Sequence, residues 1–167
     1  MTRDVLVAAG SNVAPIANLR RALEALRRHF PGLQVSPAYA NAAVGFEGDD
    51  FVNLVVRFDT DLPVQQVLAR LHEAEAACGR ERDAPKWAPR AMDLDVLLYG
   101  DLVCAERGFT LPRPDLLRRP YMLGPAAEIA PEVEHPTARR TLAELWREMQ
   151  LRAPAHDLRR IELAESR

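Results

Sequence analysis

Leu33-Gln34-Val35-Ser36-Pro37-Ala38-Tyr39 and Phe51-Val52-Asn53-Leu54-Val55-Val56-Arg57-Phe58-Asp59 read as two strands in succession, parted only by a small, glycine-containing stretch that turns acidic at its end. Upstream, Asp4-Val5-Leu6-Val7-Ala8-Ala9 is a short apolar run that closes on the turn residues Gly10-Ser11-Asn12. Between it and residue 33, Ile16, Leu19, Leu23, Leu26 and Phe30 recur at helical spacing, and Pro31-Gly32 stops that helix. Downstream, Asp61-Leu62-Pro63 opens a second helix with Val64, Val67, Leu68, Leu71 and Ala74 on one stripe. A charged loop over 80–91 leads to a strand over 93–99. The order strand, helix, strand, strand, helix, strand is that of two split units over an antiparallel sheet. The expected class is α+β, ferredoxin-like, built as three α/β/α layers within one domain spanning 1–167.

Beyond residue 99, Asp101-Leu102-Val103 is expected to add a strand. A Pro- and Arg-rich stretch over 111–120 follows, then a short helix over 122–129. A further helix over 141–151 turns Leu142, Leu145 and Trp146 inward, and the charged tail after Arg152 is expected to fray.

The 167 residues suffice for one buried core, and 48% hydrophobic against 28% charged marks a soluble globular chain. A net charge of −2 argues against a general nucleic-acid or membrane-surface binder. No apolar run could span a bilayer or serve as a leader, and Cys78 and Cys104 are too few for a disulfide framework. A cytoplasmic monomer that works on small molecules is the expectation. Of 22 basic residues only Lys86 is a lysine, so an arginine signals function here only through its position.

Asp93 and Asp95 open an apolar strand, and positions i and i+2 share a face. Two carboxylates so placed repel unless a cation lies between them, and oxygen ligands of this kind suit Mg²⁺ completed by phosphates. The alternative is a solvated strand end. Arg80, Arg82, Lys86 and Arg90 place four cations within eleven residues just ahead of the pair, and Arg107, Arg113, Arg118 and Arg119 follow it. Guanidinium forks beside carboxylates fit a metal-bound polyphosphate, although Glu81 and Asp83 also permit a plain hydrated loop. Trp87 either plugs that loop onto the core or stacks on a flat ligand, and Phe51 beside Asn53 offers a comparable aromatic and amide. There is no G-x-x-x-x-G-K-[ST] loop, G-x-G-x-x-G or G-x-S-x-G motif, and no zinc-like histidine pair. His72 reads as a helix-face residue bordering the site, and His29, His135 and His156 as solvated.

Gly79-Arg80-x-Arg82 with Lys86-Trp87-Ala88-Pro89-Arg90-Ala91-Met92-Asp93-Leu94-Asp95-Val96-Leu97-Leu98-Tyr99-Gly100 resembles the R-W-G-P-R-x-x-D-L-D-[IV]-x-L-[FY]-G signature of the 6-hydroxymethyl-7,8-dihydropterin pyrophosphokinases. Gly10-Ser11-Asn12, Asp50-Phe51-Val52-Asn53, Arg119-x-Tyr121-Met122-Leu123-x-Pro125 and Glu128-Ile129-Ala130-Pro131 are similar to further parts of that family. The resemblance implies transfer of a diphosphate from ATP to the hydroxymethyl group of a reduced pterin, releasing AMP, in folate assembly. It implies that Asp93 and Asp95 hold two magnesium ions and act in catalysis with Arg82 and Arg90. For ATP it implies Leu68, His72, Glu75, Arg80, Arg82, Trp87, Arg90, Val96, Thr110, Arg113 and Arg119. For the pterin it implies Val44, Phe51, Asn53, Trp87 and Tyr121.

Three departures mark this chain. Arg113 stands where the family usually has histidine, Ala88 replaces a glycine, and Asn41-Ala42-Ala43 replaces a threonine and prolines. The alternatives are a paralogue acting on a related pterin, a non-catalytic module that senses a nucleotide or pterin, and a plain interaction domain. Asp93 and Asp95 speak against the sensing module, because a mere binder has little use for a metal pair; for the interaction domain the charged loop would be plain surface.

Overall fold

The computed structural model describes residues 2–41, 50–79, 91–153 and 158–163. Arg3–Ser11 forms β1, Pro15–His29 α1, Gln34–Val35 β2, Ala38–Asn41 β3 and Phe51–Thr60 β4. Val64–Ala77 forms α2, Asp93–Tyr99 β5, Cys104–Glu106 β6 and Phe109–Leu111 β7. Pro120–Ile129 forms α3, Leu142–Arg152 α4 and Arg159–Ile161 β8. The main sheet runs β5-β1-β4-β3-β8, with β2 also paired to β4. Taking β2 and β3 as one broken strand, the first four strands lie in the order fourth, first, third, second. The ferredoxin-like expectation therefore holds, and all pairings of the main sheet are antiparallel.

Alternation along the strands divides the core between two faces. Val5, Val7 and Ala9 of β1 pack with Leu19, Leu23 and Leu26 of α1 and Val67, Leu71 and Ala74 of α2. Leu6 and Ala8 face the other way, with Leu97 of β5, Leu123 and Ala126 of α3 and Leu142 of α4. These are the three layers. The second helical layer is pinned to the sheet by Arg57, whose guanidinium donates to Asp4 Oδ1 and Oδ2 at 3.1 and 2.8 Å and to the Ile129 carbonyl at 3.1 Å. The same group lies 2.8 Å from Glu132, and the bonds to Asp4, ahead of those to Glu132, push its pKa up.

Several local expectations are corrected. The single strand over 33–39 is two, because Pro37 has no N–H for the ladder. Pairing of Val35 with Val56 and of Tyr39 with Asn53 leaves one extra residue on the β2–β3 side. Ser36 satisfies β4 across that bulge, donating its N–H to the Val55 carbonyl and accepting the Val55 N–H on Oγ, both at 2.9 Å. Gly10 and Ser11 continue β1 instead of turning, and Ala40 and Asn41 continue β3. Ile16 is exposed; Ala22 and Ala25 fill the inner face of α1 along with the leucines. Residues 101–103 form no strand: Gly100 takes a positive φ of 54°, and the chain starts a separate two-stranded hairpin at Cys104. The tail also does not fray entirely, since β8 pairs with β3 and Arg159 reaches Asp50 at 3.1 Å. His135 is buried at 2% exposure, not solvated; its Nδ1 accepts the Ala138 N–H at 3.0 Å, and burial lowers its pKa. Among the described residues no helix is long and apolar enough to cross a membrane.

Thr141 is the N-cap of α4: its Oγ1 accepts the Glu144 N–H, and Glu144 Oε1 accepts the Thr141 N–H, each at 3.2 Å. Leu142, fully buried one residue on, carries the docking of this helix. Leu142→Ala is expected to cost about 2–5 kcal/mol in urea unfolding. Leu151→Ala, at 79% exposure on the same helix, should stay within about 0.5 kcal/mol of the parent.

Candidate active site

β5 is an edge strand, so one row of its backbone groups faces away from β1. Both ends of that row are taken by site-forming elements. The Leu94 N–H donates to Glu75 Oε2 of α2 at 2.9 Å, and the Leu97 carbonyl accepts the Arg113 N–H at 3.0 Å. These bonds fix the strand so that Asp93 and Asp95 look toward the α3 layer, on the side shared with Ala8 and Gly10 of the neighbouring strand.

There the second core thins out. Ala8 and Gly10 are too small to fill the space above the sheet, and a cavity of about 240 Å³ opens where α3 begins. Asp93, Asp95, Asp115 and Arg113 line it together with Phe51, Asn53, Asn41 and Tyr121. The sheet register brings them together: Gly10 pairs with Asn53 on one side and Asp93 on the other, and Phe51 pairs with Asn41. A Cβ at Gly10 would lie 2.5 Å from Asn53 Oδ1, so any larger residue there must displace that amide. Asn53 is buried, and its Nδ2 donates to Asn41 Oδ1, so the amide has one set orientation.

The charged side chains have a definite arrangement. Arg113 Nη1 lies 3.5 Å from Asp95 Oδ1, and Nη2 lies 3.3 Å from Asp115 Oδ2. The Arg113 Nε is buried and makes no hydrogen bond among the described residues. Tyr121, the first aromatic residue of α3, faces this group. Burial, then Asp115 and Asp95, raise its phenol pKa against the opposing pull of Arg119 and Arg113. An amide in a cavity with two aromatic rings can read the edge of a flat heterocycle, while carboxylates beside a guanidinium can hold a metal and an anion. No cluster of three His, Cys, Asp or Glu suited to a metal occurs among the described residues. Asp93 and Asp95 still fit Mg²⁺, which takes one or two carboxylates and completes its shell with water and phosphate oxygens.

The structure thus brings together Asp93, Asp95, Arg113, Phe51, Asn53 and Tyr121 from the expected set. Leu68, His72, Glu75 and Val96 are elsewhere: His72 is exposed on α2, while Glu75 and Val96 are buried toward the α2 face of the sheet. Thr110 lines a second cavity of about 400 Å³ along the β6–β7 hairpin, which shares Arg113 with the first. Arg119 is exposed at the N-cap of α3. Arg80, Arg82, Lys86, Trp87, Arg90 and Val44 lie outside the described residues. Asp115 escaped the sequence reading, and its only signal is its place two residues after Arg113 across a proline. Asn41, noted there only as a departure, is a wall of the cavity. A larger space of about 830 Å³ between α1 and β8 is lined by Arg20, Arg27, Arg28 and Arg160 but has neither the carboxylate pair nor an aromatic ring.

The family model for 7,8-dihydro-6-hydroxymethylpterin-pyrophosphokinase matches residues 6–131. The chain is 35% identical over 142 residues to the 2-amino-4-hydroxy-6-hydroxymethyldihydropteridine pyrophosphokinase of Aquifex aeolicus, covering 84% of this chain and 88% of that protein. It is 36% identical over 152 residues to the Methylorubrum extorquens protein of the same name, covering 87% and 94%. A solved HPPK-DHPS triple mutant of Plasmodium falciparum superposes with a TM-score of 0.74 at 12% identity, over 93% of this chain and 44% of that one. That likeness speaks to the fold, and the sequence matches cover the strands that carry the cavity. The chain belongs to the 7,8-dihydro-6-hydroxymethylpterin-pyrophosphokinase family.

Proposed function

We propose that this enzyme transfers a diphosphate from Mg-ATP to the hydroxymethyl group of 6-hydroxymethyl-7,8-dihydropterin, releasing AMP, as a step of folate synthesis in the cytoplasm. The observation that carries this reading is that one cavity is lined both by two aromatic rings with an amide and by a carboxylate pair with a guanidinium. The relatives named above, which carry the pyrophosphokinase name, support it.

The pterin lies between Phe51 and Tyr121, with the Asn53 amide along its edge and Val44 and Trp87 as further contacts. Its hydroxymethyl group then points toward Asp93 and Asp95. ATP follows the open edge of β5, where Leu68, His72, Glu75 and Val96 on the α2 side and Thr110 on the hairpin side surround the nucleoside. Arg80, Arg82, Arg90, Arg113 and Arg119 hold the polyphosphate. The hydroxymethyl oxygen attacks the β-phosphorus in line, the bond from that phosphorus to the α–β bridging oxygen breaks, AMP departs with the electron pair, and the hydroxyl proton passes to solvent. Magnesium held by Asp93 and Asp95 would supply charge neutralisation at the phosphates. The fixed Asn53 amide and the anchored β5 position the reactants before any charge develops.

Incubation with Mg-ATP and the reduced pterin should yield AMP; pterin-dependent ADP without AMP would make this an ordinary kinase. Asp95→Asn should retain the fold, because Arg113 keeps Asp115 as a partner, while turnover falls by at least ~10²-fold, about 2.7 kcal/mol. Near-normal turnover with unchanged magnesium dependence would remove Asp95 from the ligand set. Gly10→Ala tests the Asn53 amide. Its Cβ must displace the Asn53 amide, so pterin affinity should drop about ten-fold, the value of one or two lost hydrogen bonds. Calorimetry should show ATP affinity within about two-fold of the parent, since the atoms nearest the added Cβ belong to Asn53 and the Val52 carbonyl.

A further inference from the structure

Among the described residues, the charged side chains lining the cavity are Asp93, Asp95, Asp115 and Arg113, three carboxylates to one guanidinium. That excess of carboxylates is one a divalent cation would offset. The guanidinium already occupies the flank of Asp95 where such a cation would act, at 3.5 Å. Its backbone is tied by the N–H to the Leu97 carbonyl at 3.0 Å, on the strand that carries Asp95. Its other terminal nitrogen is retained at 3.3 Å by Asp115. Asp115 is itself set by the 3-10 turn Pro114–Leu117, whose carbonyl at Asp115 accepts the Arg118 and Arg119 N–H groups at 3.0 and 2.9 Å.

We propose that Arg113 is a resident counter-ion of the carboxylate pair and that Asp115 is the positioning residue that keeps it in the site when a divalent cation takes Asp95. This rests on the reading of Asp93 and Asp95 as the metal pair of a diphosphotransferase. In the metal-free protein Arg113 relieves the repulsion between two carboxylates on one strand face. Its Nε is buried and meets no acceptor among the described residues, so the group is under-satisfied where it stands. When the cation arrives at Asp95, Nη1 is released and Asp115 holds the guanidinium by Nη2. Nη1 is then left in the same cavity as a donor for a phosphate oxygen. Histidine at position 113, with one donor in its neutral form, could not hold Asp115 and offer a donor to phosphate at once.

The test is Mn²⁺ titration of nucleotide-free protein, followed by electron paramagnetic resonance, for the parent, Arg113→Met, Asp115→Asn and the double variant. Loss of the competing cation in Arg113→Met should tighten Mn²⁺ binding about ten-fold, and Asp115→Asn, which leaves Arg113 to Asp95 alone, should weaken it roughly three- to ten-fold. In the Arg113→Met background the effect of Asp115→Asn should shrink below about two-fold, because Asp115 acts through Arg113. Arg113→Gln carries the same expectation if the methionine variant does not fold. An equal effect of Asp115→Asn in both backgrounds, unchanged or weaker Mn²⁺ binding in the Arg113 variants, or no Mn²⁺ binding in any protein would overturn the proposal. A non-hydrolysable ATP analogue with Mg²⁺ should bind Arg113→Met about ten- to a hundred-fold more weakly, with a smaller loss for AMP; equal losses would overturn the hand-over to phosphate. None of these titrations involves the pterin or turnover. The expected Mn²⁺ pattern with ADP as the product would leave the counter-ion standing and remove the diphosphotransferase, whereas AMP with background-independent Asp115 effects would do the reverse.

Discussion

Two like charges at alternate positions of an edge strand are an unstable arrangement, and the site depends on how β5 is made to hold them. A strand bonded on one side only can twist or slide at its free edge, which would turn Asp93 and Asp95 away from each other. Here β1 secures the inner edge in register, and Glu75 and the Arg113 backbone secure the outer one. A buried carboxylate that accepts a strand N–H is a costly way to fix a backbone. Its effect is that the atom between the two aspartates cannot move without breaking a charge-assisted bond.

The two faces of the sheet divide the remaining work. The face under α1 and α2 is closed by large aliphatic side chains along its length. The face under α3 and α4 is closed only part of the way, because β1 carries Ala8 and then Gly10 as it approaches its end. Cavity and core are thus one surface, apolar under the helices and polar where they stop. Tyr121 and Met122 at the start of α3 mark the border between them.

Much of this was legible in the sequence because strands obey a simple rule. Period-2 alternation placed Asp93 with Asp95 and Phe51 with Asn53 on shared faces, and the element order supplied the antiparallel sheet that joins them. What was hidden depends on contacts between distant segments. Glu75 reads on its helix as one more acidic residue, and its burial follows only from the edge of β5 lying across it. Asp115 needs the fold of a tight turn to meet Arg113. The burial of His135 comes from a loop whose backbone amides its ring satisfies, and no periodic pattern announces that. Strand β8, three residues long and rich in arginine, lies below what alternation can detect. Its existence follows from the open edge of β3, not from its own composition.

That last strand changes where the protein should be divided. The family pattern ends at residue 131, yet the face that bears the cavity is roofed farther out by Leu142, Leu145 and Met149, and the sheet is finished by residues 159–161. Residues 6–131 thus hold every described side chain that lines the cavity but not the whole layer packed on that face of the sheet. Grafting that stretch alone into another protein would carry over the reactive side chains and leave the apolar side of α3 and the outer edge of β3 without their cover.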